Sequence, residues 1–268
     1  MSIIERDGAP IVYTPRSVTH TNTYLVGHSA LTVVDPATPY DDEQDYLHSL
    51  LESLALPVER ILLTHHHHDH IGGVEALRAA LGPIPVAAHA ATAERLTDVL
   101  AIDELIEPDQ RLSCGGRVLR ALFTPGHAPG HLVFHDEDSG AVIAGDMVAG
   151  VGTILIDQRD GNLGLYLDSL ERMRSLGASV LLPAHGPALH QADAVLSFYI
   201  AHRHQRSEQV RRALTEHGAM TPAELVPHVY SELDPKAHPI AAVQLRSHLD
   251  WLVAHGTVRV QGERFAVT

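Results

Sequence analysis

The chain of 268 residues is poor in cysteine, lysine and aromatics, and each scarcity excludes something. The one thiol, Cys114, rules out an internal disulfide and fits a reducing compartment. It precedes Gly115-Gly116 in a turn-like stretch and reads as a structural thiol, not a ligand or nucleophile. Aromatics make up 4% of the chain, so the core must be built from Ala, Leu and Val. No apolar run approaches the roughly 20 residues that cross a bilayer. The first residues, Met1 to Asp7, lack a basic stretch followed by an apolar core, so no membrane insertion or secretion is expected and the expected location is cytoplasmic. Positive charge is scarce in the first 195 residues, which carry 11 Arg against 26 Asp and Glu; residues 196–268 carry 7 Arg and one Lys against 7 acids. The net charge of −14 repels polyphosphate, and a single lysine leaves few of the usual phosphate anchors.

What is present is an ordinary globular pattern with an abrupt change of character near its end. Strand-like segments at 9–13, 22–27 and 30–36 are followed by helical spacing of Tyr46, Leu47, Leu50, Leu51 and Leu54 over 41–55. Strands at 60–64 and 84–88 alternate with helices at 71–81 and 90–99. Strands at 117–123, 131–135 and 141–145, a helix at 164–176 and a strand at 178–183 follow. An antiparallel opening with later strand–helix alternation predicts an α/β (α+β) fold, two sheets flanked by helices in a four-layer αββα sandwich. The expected division is a main domain over 1–195 and a small one over 196–268. A long Arg- and His-rich helical pattern covers 192–217, and Thr221-Pro222-Ala223-Glu224 has the N-cap, N1 and N3 residues of a helix start. A helix over 239–255 closes at Gly256, and a terminal hairpin follows, which together predict a winged-helix-like unit.

The chemistry is concentrated in Thr64-His-His-His-His-Asp-His70, on the loop between a strand and a helix. This run is internal and interrupted by Asp69, unlike an expression tag, and it offers His65, His67, Asp69 and His70 as ligands. Three later strands end in the same way, in Thr124-Pro125-Gly126-His127, Gly145-Asp146 and Pro183-Ala184-His185-Gly186. Five imidazoles and two carboxylates suit Zn²⁺, and also Fe or Mn. Seven ligands exceed one tetrahedral site and match two. His65, His67 and His127 would hold one metal and Asp69, His70 and His185 the other, with Asp146 bridging. A hydroxide shared by the metals would be the nucleophile, formed from a bound water that loses one proton near neutral pH.

These segments together resemble the metallo-β-lactamase-fold hydrolase superfamily. Asn22-Thr-Tyr-Leu-Val26, Thr124-Pro-Gly-His-Ala-Pro-Gly-His131, Tyr166-Leu-Asp-Ser-Leu170 and Tyr199-Ile-Ala-His-Arg203 are similar to the β-lactamase-like protein 2 group. The resemblance implies the αββα fold, two zinc ions on the seven positions above, a structural role for Asp35 and a C-terminal winged-helix-like domain. It does not name the substrate, since relatives open lactams, lactones, thioesters and phosphodiesters with similar ligands. The presence of Asp146 and the absence of a ligand cysteine place the chain nearer the thioesterase, lactonase and nuclease branches, with lactam opening retained as plausible chemistry.

The expected function is therefore metal-dependent hydrolysis of a small-molecule ester, thioester or lactam, with Asp69 and Asp146 serving the metal-bound hydroxide. Two alternatives stay open: endoribonuclease action on single-stranded RNA, against which the acidic surface argues, and a non-enzymatic winged-helix DNA-binding regulator, against which its near-neutral charge argues. A flavodiiron-type oxidoreductase would need a Glu for an early His and a flavin domain, and neither is seen. His66 and His68 are expected to point away from the metals. Tyr166, after the loop 157–162, is a candidate substrate contact; His131 is either a hydrogen-bond donor near the site or structural. The face His202, Arg203, His204 and Arg206 is either solvated or paired with acids of the main domain. A dimer is one assembly left open.

Overall fold

The computed structural model describes residues 4–6, 9–12, 20–37 and 40–268, with side chains from residue 20 onward in those ranges. The expected strand at 9–13 is observed over Ala9–Val12, and Tyr13 lies outside the described residues. Seven strands form the first sheet in chain order: β1 (Ile4–Arg6), β2 (Ala9–Val12), β3 (Thr23–Val26), β4 (Leu31–Val34), β5 (Val58–Leu62), β6 (Val86–His89) and β7 (Glu104–Ile106). Pairing is antiparallel through β4 and parallel from β4 to β7. The second sheet contains β8 (Arg111–Cys114), β9 (Arg117–Phe123), β10 (Leu132–Asp136), β11 (Ala141–Gly145), β12 (Val180–Pro183) and β13 (Leu189–His190), also adjacent in chain order. Only β11 and β12 pair in parallel there. The helices are α1 (Asp41–Leu54), α2 (His68–Ile71), α3 (Val74–Leu81), α4 (Ala90–Arg95), α5 (Leu163–Arg174), α6 (Ala192–His217), α7 (Pro222–Val229) and α8 (His238–Ala254), and a hairpin of β14 (Val258–Gln261) and β15 (Arg264–Val267) ends the chain.

Strand alternation explains the layering, because successive side chains of a strand face opposite sides of its sheet. Leu25, Val33 and Ile61 turn outward and pack with Leu47 and Leu51 of α1 and Leu77 of α3. Their neighbours Tyr24, Val26, Val34 and Leu62 turn inward against Leu119, Ala121, Leu132 and Phe134 of the second sheet. On the far side of that sheet, Leu122, Val133 and Val142 pack with Tyr166, Leu170 and Met173 of α5 and with Leu196 and Ile200 of α6. Three apolar interfaces between four layers make the αββα sandwich.

A fourth core joins α7, α8 and the hairpin around Leu225, Leu245, Leu249 and Phe265. Helix α7 opens with a complete capping box in which Glu224 N donates to Thr221 Oγ1 and Thr221 N donates to the Glu224 carboxylate. Helix α6 serves both cores: its first turns carry Leu196 and Ile200, its later turns Val210, Ala213 and Leu214. The change of character near residue 192 is thus a change of packing partner along one continuous helix.

The cores can be probed at two positions. Phe134, fully buried between the sheets, should cost about 3–5 kcal/mol when truncated to Ala, read by urea unfolding. His248 lies buried beside Ser207, its Nδ1 2.8 Å from Oγ, and burial, with Arg203 and Arg206 nearby, pushes its pKa down to about 3. A folded pKa below the unfolded one favours folding above the unfolded value and loses that contribution as pH falls through it. Between pH 7 and pH 5 the wild type should lose about 2 kcal/mol more stability than His248→Gln.

Candidate metal centre

The site forms where strand ends of both sheets meet. β5 runs into Thr64 and His65, β9 into the turn holding His127, β11 into Asp146, and β12 into the turn holding His185. Gly145 makes the placement of Asp146 possible: it has φ of 48°, and a Cβ there would stand 2.6 Å from His131 Nε2. Gly126, at φ 133°, lets its turn lie against the start of α5, where a Cβ would stand 2.2 Å from Tyr166 N.

Seven side chains named from the sequence converge here in two sets. His65 Nε2 and His127 Nε2 lie 2.9 and 3.0 Å from His67 Nδ1. On the other side, Asp69 Oδ2 lies 3.6 Å from His70 Nε2 and 3.5 Å from His185 Nε2. In each set the donor atoms fall within 4.8 Å of one another. Asp146 stands between them, with Oδ2 3.4 Å from His127 Nε2 and Oδ1 3.3 Å from His185 Nε2 and 3.7 Å from His70 Nε2.

The far nitrogen of each imidazole meets a polar partner, which fixes the ring and leaves the other nitrogen facing the centre. His70 Nδ1 lies 2.8 Å from Asp35 Oδ2, and His65 Nδ1 3.0 Å from Thr64 Oγ1. His127 Nδ1 meets Leu155 O at 2.9 Å, and His185 Nδ1 meets His20 O at 3.0 Å. His67 Nε2 lies 3.6 Å from Asp160 Oδ2. Asp69 Oδ2 accepts from Thr21 Oγ1 at 2.9 Å. The Asp35 carboxylate also accepts from Thr64 N at 2.8 Å and Thr64 Oγ1 at 2.6 Å.

Burial and charge set the protonation of this donor set. Burial, with the neighbouring imidazoles, lowers His65 well below the usual histidine range; burial also lowers His67 and His127. Burial would raise the Asp146 carboxyl, yet His185, His70 and His127 hold it well below the usual carboxylate range. Burial would lower His70 too, but Asp35, Asp146 and Asp69 outweigh it and raise the pKa to about 9. His70 Nε2 and Asp146 Oδ1 are buried without a hydrogen-bond partner. Three imidazoles held neutral (His65, His67 and His127), an ionised carboxylate and two orphaned buried polar atoms aimed into one space fit divalent cations, which would displace the protons that the neighbouring carboxylates favour on His70 and His185.

Several expected residues sit elsewhere. Tyr166 was expected to reach substrate, but it is fully buried, its hydroxyl donating to Met147 O at 2.7 Å and the Arg203 guanidinium over its ring. Its position on α5 faces the core beneath the site. His131 is also fully buried: Nδ1 lies 3.0 Å from Thr124 Oγ1 and Nε2 accepts from Asp146 N at 3.1 Å, so it steadies the Asp146 backbone and does not face the cleft. His66 turns toward Asp160 at 3.2 Å, and His68 is exposed. Arg203 is neither solvated nor paired with an acid; it is buried and donates to Ile154 O. Thr21, Asp160 and the carbonyls of His20 and Leu155 escaped the sequence reading. Backbone acceptors carry no side-chain signature, and Asp160 lies in a polar loop with no periodicity.

Residues 16–185 match the family described as Metallo-beta-lactamase superfamily. The chain belongs to that superfamily. Residues 221–265 match its companion, the Beta-lactamase associated winged helix domain, so the fold and the C-terminal unit accord with the resemblance drawn from the motifs. A Beta-lactamase-like protein 2 homolog of Drosophila melanogaster is 28% identical over 90% of this chain and 84% of its own length. A Lactamase-like protein of Arthroderma benhamiae is 33% identical over 81% of the chain, but the match spans half of that longer protein. An Atrochrysone carboxyl ACP thioesterase of Aspergillus aculeatus is 31% identical over 72% of the chain and 59% of its length. Among solved structures, a metallo-beta-lactamase family protein of Thermus thermophilus superposes with a TM-score of 0.80 at 25% identity, covering 97% of this chain and 99% of that one. The superfamily typically binds divalent metals and the relatives include a thioesterase, so a metal-dependent hydrolase agrees with the donor set.

The Asp35 carboxylate can be tested alone. Asp35→Asn replaces an acceptor-only group with an amide that cannot serve Thr64 N, Thr64 Oγ1 and His70 together. Zinc affinity, measured by chelator competition, should fall roughly 10–100-fold.

Proposed function

We propose that this chain is a binuclear, zinc-dependent hydrolase acting on a small-molecule thioester or ester, with lactams as a lesser substrate class. The placement of Asp146 carries the reading, since its two oxygens face the two donor sets separately. His65, His67 and His127 would hold one cation and Asp69, His70 and His185 the other, with Asp146 shared. When bound, such a pair supplies a water deprotonated near neutral pH and a Lewis acid for the scissile carbonyl.

The residues of the chain do the rest. His65, His127 and Asp146 are nearly or fully buried, so their positions are set by packing before substrate arrives. Asp69 differs: its side chain is 49% exposed and tethered by Thr21, so it faces the cleft and can take a proton from the attacking water and pass it to the leaving group. A thioester suits this arrangement because a thiolate leaves with little help from an acid, and the resemblance to a fungal thioesterase supports the choice.

The DNA-binding reading loses ground on the placement of α8. In a winged-helix unit such a helix would be the one presented to a groove. Here Gln244 accepts a hydrogen bond from Ile156 N, and Trp251 packs against the apolar cluster of the main domain. The face of α8 that carries them is spent within the molecule.

The test is metal analysis of the purified full chain beside a substrate panel of acyl thioesters, esters, lactones, nitrocefin and short RNA. About two equivalents of a divalent metal are expected, with hydrolysis of acyl thioesters or esters abolished by chelator. His67→Ala and Asp146→Asn should each lower kcat/KM by more than the roughly 100-fold cost of an outer-shell change. Full activity in either variant would overturn the binuclear reading.

A further inference from the structure

We infer that the C-terminal helices are a working part of the centre: Tyr199, Arg203 and Gln244 are positioning residues that hold the loop 148–162, which in turn orients His127 and His67. The inference rests on the metal-site reading above and assigns the C-terminal unit a task at that site.

The loop has little regular structure of its own, with turns but no helix or strand between β11 and α5. It nevertheless supplies two of the contacts that orient the imidazoles. Leu155 O meets His127 Nδ1 at 2.9 Å, and Asp160 Oδ2 stands 3.2 Å from His66 Nε2 and 3.6 Å from His67 Nε2. Such a segment needs anchors from outside, since an unsupported loop would let both imidazoles rotate.

The anchors come from α6 and α8. The Tyr199 hydroxyl clamps one residue twice, accepting from Ala149 N at 2.9 Å and donating to Ala149 O at 3.0 Å. The buried Arg203 guanidinium donates to Ile154 O at 2.6 Å. Gln244 Oε1 accepts from Ile156 N at 3.1 Å, and its amide nitrogen is held by Ser247 Oγ at 3.2 Å. Gln244 therefore holds the peptide whose carbonyl, Leu155 O, faces His127, and Arg203 holds the peptide before it. At the far end, Gly161 N donates to Asp157 O at 2.5 Å and Arg95 binds Asp160 at 2.5 Å, which holds the carboxylate toward His66 and His67. Residues 199, 203 and 244 all follow the last proposed metal ligand, His185, so these anchors are supplied by chain beyond the donor set.

The test compares the full-length wild type with Gln244→Ala, with the double variant Tyr199→Phe/Gln244→Ala, and with Val229→Ala, which loosens the C-terminal core away from the loop. Zinc affinity is read by chelator competition, and the absorption spectrum of the cobalt-loaded protein reports ligand geometry. Hydrogen exchange of residues 149–162 in metal-free protein reports the loop itself. The clamp variants should bind zinc about tenfold or more weakly, alter the cobalt spectrum and exchange faster in the loop. Val229→Ala should lower Tm with affinity and spectrum unchanged. Wild-type affinity, spectrum and exchange in the double variant would overturn the inference, as would an equal loss of affinity in Val229→Ala. A wild type that binds no zinc would instead overturn the metal-site reading on which the inference stands.

Discussion

One buried carboxylate ties the architecture together at the point where chemistry is expected. Asp35 ends β4 in a left-handed conformation, φ 48°, and meets the backbone and hydroxyl of Thr64 at the end of β5 as well as the His70 ring beyond it. Thr64 O then accepts from Leu132 N of the second sheet at 2.8 Å. A single chain of hydrogen bonds thus runs from one sheet through the His-rich loop into the other. At the opposite edge of the cleft, Asn22 N donates to Ala184 O, and the Asn22 amide and Tyr24 hydroxyl donate to Pro183 O. The sheets are stitched at the end where the donor side chains emerge, and packed by apolar side chains elsewhere.

That division of labour gives a rigid site at modest cost. Buried polar groups are tolerable only when each finds a partner, and most of those around the centre find one within the protein. His70 Nε2 and Asp146 Oδ1 do not, and both face the space between the two sets of donors. Their desolvation is the kind of penalty that a bound cation offsets, so the energetic defect and the chemical opportunity coincide.

Much of this is legible in the sequence. The spacing of His65, His67, Asp69 and His70 on a strand-to-helix loop, and the Gly- and Pro-flanked donors at three later strand ends, located the centre because such residues have few other reasons to recur at strand ends. Helix α6 over Ala192–His217 follows the helical pattern closely, and the capping box at Thr221 marks the start of α7. The misses have physical causes. The helix expected over 71–81 is broken by Gly72-Gly73 into α2 and α3, since glycine is a poor interior helix former. β7 and β8 were unread because Glu104–Ile106 and Arg111–Cys114 are short and carry exposed charged residues. Tyr166 looked like a cleft residue because it follows a polar loop, but the loop folds over the site and α5 turns the ring into the core. The orienting contacts from Leu155 and His20 are backbone carbonyls, which no residue pattern reveals.

The central claim is that two cations share Asp146 between donor sets brought together by both sheets. Diffraction at the metal absorption edge from crystals grown with zinc tests it most directly. Two anomalous peaks about 3.5–4 Å apart are expected, one against His65, His67 and His127 and the other against Asp69, His70 and His185, with the Asp146 carboxylate between them. A single peak, or peaks away from these side chains, would contradict the account.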